Sequence, residues 1–358
     1  MTRPGPGLVS RSGRQGAAIV GLALLDEARA AVGRLENPDD DEALHDFRVA
    51  IRRVRTLLRS FRPELKAAVP RKLERRLRTL TRHTGAGRDA EVQLTWLGEH
   101  RPALGARARP GVNWFTARLT ERRDRAYATI REGVAPEFRE LERRMRRALT
   151  TAKIGTGVTQ RAPFGVAAAR VLQAELGALE QELAAARARR DEEAVHGGRI
   201  AVKRLRYLLE SLSGDVNRAS ALIGELKALQ ELLGQLHDLH VLIAELGEAV
   251  ADAAAERARR LHTRALGSVG GTGSGAGTRS TPRRPAPGSA GLLALARLAA
   301  ANERELYQRL LGATVDAQVQ AVVSSLTALA TELAPEPPTS PVRSPRPLRT
   351  RYTSRARP

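Results

Sequence analysis

His45, Arg48, Arg52, Arg55 and Arg59 stand three or four residues apart. Wound as an α-helix at about 100° per residue, the stretch Leu44–Phe61 gathers all five within an arc of roughly 80°. Phe47, Ala50, Ile51, Val54, Leu57, Leu58 and Phe61 fill a wider arc beside them. The spacing therefore predicts an amphipathic helix whose buried face is bordered by a purely cationic stripe. Like charges at this spacing cost a few tenths of a kcal/mol each, and no Asp or Glu alternates with these arginines. A solvated face normally mixes signs, so the stripe calls for an anion. Arginine suits that task because its planar fork stays charged and pairs bidentately with phosphate oxygens. Stripe residues rise about 5 Å per turn, so one helix can grip several phosphates of a linear chain. His45 lies in the first turn, where the helix dipole disfavours an imidazolium, and as a neutral ring it can donate one hydrogen bond. Arg53 points about 100° away from the stripe and ranks second.

The pattern returns at Val195–Leu212. His196, Arg199, Ala201, Lys203, Arg204, Arg206, Leu208 and Leu209 take the places of His45, Arg48, Ala50, Arg52, Arg53, Arg55, Leu57 and Leu58. The chain thus reads as an internal duplication. A second stripe, Arg71, Arg75, Arg78 and Arg82, falls within roughly 60° at helical spacing, with Leu73, Leu77 and Leu80 opposite. Carried onto the second half, the two stripes leave Arg199, Lys203, Arg206 and Lys227, with Glu210 in place of Arg59 and Glu231 in place of Arg82. The first half is therefore expected to hold an anion mainly, with the second closing the other wall. His196 precedes Gly197 and Gly198, two weak helix formers, and is expected in the loop before its helix.

In these motifs the chain resembles the CHAD domain family, the conserved histidine α-helical domain. The resemblance rests on His45…Arg48…Arg52-Arg53-Val54-Arg55 and on His196…Arg199…Lys203-Arg204-Leu205-Arg206-Tyr207. Arg88-Asp89 ahead of a helix, and His237-Asp238 after the leucine-rich Leu229–Leu236, add to it. It covers roughly Gly16 to Leu333. It implies an all-α fold of two similar helical bundles with a basic cleft or pore between them that binds inorganic polyphosphate. The residues expected to line it are His45, the cations of both stripes, His196, Arg199, Lys203, Arg206 and Lys227. Asp89 and Asp238 match family positions and are read as structural, capping helices or holding arginines. No cofactor is implied.

Composition agrees with a polyanionic partner. The net charge is +21 and the pI about 11.4, from 60 Lys and Arg of which only five are Lys. The absence of cysteine excludes disulfides, thiol catalysis and cysteine-type zinc sites. Aromatics are 3%, which argues against a protein that stacks single-stranded bases. No run of about 18 apolar residues suggests a membrane span. Gly16–Leu25 has the length of a signal h-region, but Asp26, Glu27 and Arg29 follow at once and a core helix is expected. The expectation is a cytoplasmic protein, with polyphosphate granules as a candidate destination.

The domain reading runs in order: an unstructured leader 1–13, a first half 14–150, a linker 151–162, a second half 163–333 and a Pro/Arg tail 334–358. A Gly/Ser/Pro/Arg insertion, about 268–289, interrupts the second half. Breaks between helices are expected at Pro63, at Gly85–Gly87 and between Gly234 and His237. His237, Asp238 and His240 share a helix face but have no further ligand cluster, so no metal is expected. There is no Walker loop, no G-x-S-x-G and no H-E-x-x-H. Nor does any lysine stand in the Glu-x-Glu-x-Lys pattern of the triphosphate tunnel domain that sometimes accompanies CHAD domains; Lys66 has Glu64 but Arg62 before it. A non-enzymatic binding module is the expectation. Nucleic-acid binding through the same stripes and the arginine-rich tail is its rival, and catalysis on polyphosphate a third.

Overall fold

The protein is described here from a computed structural model, which describes residues 5–35, 37, 40–154, 162–267 and 289–334. The expected insertion at about 268–289, apart from Ser289, which opens a helix, the core of the linker and the tail from Pro335 lie outside the described residues. The described chain is all α. Its helices are α1 (Gly13–Arg34), α2 (Asp41–Ser60), α3 (Arg62–Leu65), α4 (Arg71–His83), α5 (Gly85–His100), α6 (Arg109–Thr129) and α7 (Ala135–Ile154). Then come α8 (Phe164–Arg189), α9 (Glu192–Leu212), α10 (Ala219–Gly267), α11 (Ser289–Leu311) and α12 (Ala313–Leu333).

Two cores organise these helices. The first takes apolar faces from α1, α2, α4, α7, α8, α9, α12 and the first part of α10. It runs through both halves of the sequence without a seam: Phe61 at the end of α2 stacks on Phe164 at the start of α8, with centroids 4.9 Å apart. Gly16 is required there, because a Cβ on it would overlap the Phe164 ring. Phe47 of α2 meets Phe138 of α7 edge-on at 4.9 Å. The smaller second core joins α5, α6, the later part of α10 and α11 through Leu97, Phe115, Leu242, Leu246 and Leu295.

Several boundaries differ from the expected ones. Gly85–Gly87 does not end a helix: α4 stops at His83 and these glycines open α5. Pro63 lies in the first turn of α3, where its missing N–H is harmless. The expected break between Gly234 and His237 does not exist; α10 is continuous over 49 residues. Leu232, Leu233, Leu236, Leu239, Leu242 and Leu246 keep one buried face through Gly234 and hand it from the first core to the second. That burial outweighs the glycine penalty of about 1 kcal/mol. Helices α6 and α7 are joined by a π-helical turn, Ile130–Val134. The leader, expected to be unstructured, is tied down from Gly7 on. Leu8 is buried, the Asp215 carboxylate accepts hydrogen bonds from the Gly7 and Val9 amides, and Phe164 N donates to Arg11 O at 2.7 Å.

Candidate functional site

Helix α2 presents the first stripe. Leu44, Phe47, Ile51, Val54 and Leu58 are buried and fix its rotation about its own axis. His45, Arg52 and Arg55 are then half-buried at the edge of that face, and Arg59 is exposed. Helix α9 is set the same way by Val195, Val202, Leu205, Leu209 and Leu212, which leaves His196, Arg199, Lys203 and Arg206 half-buried. Asp191 caps α9, its Oδ1 accepting from Glu193 N at 2.9 Å. His196 therefore lies inside the helix and not in the preceding loop as expected. Gly197 has a packing reason: a Cβ there would meet the Glu182 carboxylate of α8.

Arg52 is the hub. It lies within electrostatic reach of His45, Arg48 and Arg55 on its own helix and of Arg199 and Lys203 on α9. Arg78 of α4 joins through Arg55. Arg71, Arg75 and Arg82 lie along the same exposed face of α4. The crowding is written in the proton affinities. Burial, then Arg199 and Arg52, lower the Lys203 ammonium from its ordinary 10.5 to about 6. Burial first, and neighbouring cations after it, push Arg48, Arg55, Arg199, His45 and His196 down as well. His237 falls to about 3, from burial and then Arg199 and His196; its Nδ1 lies 3.3 Å from His196 Nδ1. Asp89 and Asp238 are the acids that act on Arg48, Arg199 and Lys203 from within the site, beside Glu91 at Arg48, and burial pushes both carboxyls up against the pull of Arg48 and Arg199. Asp238 sits in mid-helix and Asp89 past the first turn of α5, so neither is an N-cap. Their position suits holding arginines.

Some sequence-selected cations stand elsewhere. Arg48 is 8% exposed, and its Nη1 donates to the carbonyls of Thr84 and, at 3.1 Å, Gly85. It thereby closes the C-terminal end of α4, where a cation meets the negative end of the helix dipole. Arg206 Nε lies 3.5 Å from Glu210 Oε1, and Lys227 is within reach of the same carboxylate, so both answer an acid of their own half. Arg53, ranked second in the sequence, is the tie between halves. It bonds Glu27 of α1 at 3.1 Å and Glu210 of α9 at 2.8 Å, and lies 5.2 Å over the Tyr207 ring. Its counterpart Arg204 makes the equivalent contact with Glu175 of α8 at 3.1 Å. The signal was present: each arginine directly follows a stripe cation, and each half carries a glutamate on the preceding helix. Among the described residues no three His, Cys, Asp or Glu side chains gather as a metal ion requires, and no helix is long and apolar enough to cross a membrane.

Paired helices carrying basic faces over a shared core define the class: an all-α helical domain. The CHAD domain family model matches residues 21–247, and the chain belongs to the CHAD domain family, which is linked to polyphosphate binding in general. Its fold is similar to that of the CHAD domain from the plant Ricinus communis, at 23% identity and a TM-score of 0.56, covering 82% of this chain and 94% of that one. It is similar also to PptA from Streptomyces chartreusis, at 18% identity and a TM-score of 0.57, covering 84% and 99%. A comparison with curated proteins found no match.

Proposed function

We propose that the chain binds inorganic polyphosphate, without chemistry, in a basic cleft between the motif helices α2 and α9, and is thereby recruited to polyphosphate granules. One observation carries this reading. Arg52 of α2 lies within electrostatic reach of Arg55 on its own helix and of Arg199 and Lys203 on α9, and burial first, with like charges after it, lowers the proton affinity of those three. A fold maintains such a cost when a ligand removes it. Asp89 and Asp238 offset only part of the charge. A linear polyanion threaded past Arg52 supplies the rest, and the exposed arginines of α4 extend the track beyond the cleft. His45 and His196 add neutral donors at its ends.

Duplex nucleic acid is the rival ligand, because Arg71, Arg75, Arg78 and Arg82 form an open stripe that any phosphate backbone can meet. Competition at matched phosphate concentration separates the two. Long-chain polyphosphate displaces labelled duplex DNA, and DNA does not displace labelled polyphosphate. The reverse order would make nucleic acid the ligand. Release of free phosphate during the incubation would make the protein an enzyme.

A further inference from the structure

A cavity of about 510 Å³ opens between α5, α10 and α11, beside the second core. Gln93 lines it. This side chain is 2% exposed, and neither its amide nitrogen nor its carbonyl oxygen has a hydrogen-bond partner among the described residues. Buried amides are rarely left so, because the lost hydration is not repaid. One turn further along α5, Trp96 lines the same cavity. Its indole stacks on the His100 ring at 4.2 Å and 15°. His100 is fixed from both sides, Nδ1 donating to the Trp96 carbonyl at 2.9 Å and Nε2 accepting from Asn302 Nδ2 at 2.8 Å. The cavity thus has a braced aromatic surface on its wall and, packed behind that wall, a carboxamide whose donor and acceptor have no partner among the described residues.

That pairing matches a planar heterocycle showing a donor and an acceptor side by side. A glutamine carboxamide pairs in this way with the N6/N7 edge of adenine, and aromatic faces hold bases by stacking. A volume of this order suits one nucleoside. The wall is shared with the cation cluster: Arg88 and Asp238 line the cavity, Arg88 acts electrostatically on His45 and Arg48, and Asp238 on Arg199 and Lys203. We propose that the cavity binds the adenine base of a nucleoside polyphosphate whose phosphates pass Arg88 toward Arg52. The base site stands on Gln93 and Trp96 alone; the phosphate path rests on the polyanion reading above.

Tryptophan fluorescence tests it, because Trp96 and Trp114 are the only tryptophans. Adenosine and ATP quench the emission, and tripolyphosphate, followed in parallel by calorimetry, binds without quenching. Trp114→Phe keeps the quench and Trp96→Phe loses it. Gln93→Leu weakens adenosine and ATP by about tenfold or more and leaves tripolyphosphate unchanged. Arg52→Glu weakens ATP and tripolyphosphate and leaves adenosine unchanged. Should Gln93→Leu melt early, Gln93→Asn, which withdraws the amide by one methylene, makes the same comparison. No quench by millimolar adenosine, or full adenosine affinity in a folded Gln93 variant, overturns the base site. Loss of tripolyphosphate binding by the wild type overturns the phosphate path and leaves the base site standing.

Discussion

Arg53 of the first half donates to Glu210 of the second at 2.8 Å, and both side chains are largely withdrawn from solvent. The same guanidinium serves Glu27 and covers Tyr207, so one residue bridges an acid of its own half and an acid of the other. Removing the arginine takes from Glu27 and Glu210 the guanidinium they share, whereas removing Glu210 leaves the arginine paired with Glu27. Arg53→Met is therefore expected to destabilise the fold by about 3–5 kcal/mol. Glu210→Gln is expected to be nearly neutral, since burial pushes its carboxyl up despite Arg53. Denaturant unfolding of the two variants checks the inequality; equal losses contradict it.

Lys203 makes stability depend on pH. Its folded value, about 6, lies below its ordinary 10.5. Between those values the unfolded chain binds a proton that the folded chain does not, so stability rises as pH rises through that window. Lys203→Met removes this slope and is expected to raise the melting temperature at pH 7. A variant whose stability climbs from pH 6.5 to 9.5 as steeply as the wild type shows that Lys203 is already charged in the fold.

The same residue couples binding to protons. A polyanion beside Lys203 favours the ammonium, so binding takes up a proton wherever the free protein holds Lys203 neutral. Affinity for long-chain polyphosphate is expected to fall from pH 6 to pH 9 at fixed ionic strength, by up to about tenfold per pH unit for one coupled proton. Lys203→Met flattens that dependence. Calorimetry in buffers of different ionisation enthalpy counts the proton directly, and zero uptake at pH 8 contradicts the coupling.

The motif helices were legible in the sequence because their apolar spacing is unbroken. The misreadings have local causes. Gly85–Gly87 and Gly234 carry weak helix propensity, yet the first open α5, where Gly87 and Ala90 are buried, and α10 runs unbroken through the second, with Leu233 and Leu236 buried. Arg48 looked identical to Arg52 on a helical wheel. Its separate task depends on the Thr84 and Gly85 carbonyls, more than thirty residues away in the chain. Arg53 ranked low because it pointed off the stripe, and its partner Glu210 belongs to the other half of the sequence. Gln93 carried no signal at all, because an unsatisfied amide becomes visible only when its surroundings are known.

The charges of the second half are unequal in what they offer. Arg206 and Lys227 already face Glu210, while Arg55 and Arg78 face other cations. Neutralising Arg55 and Arg78 together, each to Gln, is expected to reduce the salt slope of polyphosphate binding by about two. The pair Arg206→Gln and Lys227→Gln is expected to change it by much less. Binding isotherms at several salt concentrations make the comparison, and a larger change from the second pair would reverse the assignment of the dominant wall.

Arg52 is the residue through which the cations of α2 and α9 converge, and on the polyphosphate reading it is the first contact to remove. The most direct measurement is an equilibrium titration of Arg52→Glu with long-chain polyphosphate beside the wild type, at one salt concentration. Arg52 makes no ion pair among the described residues, so the variant is expected to melt at or above the wild-type temperature. At least about a tenfold loss of affinity is expected, the size of effect when a charge contact becomes a repulsion. Unchanged affinity in a protein that melts normally would contradict it.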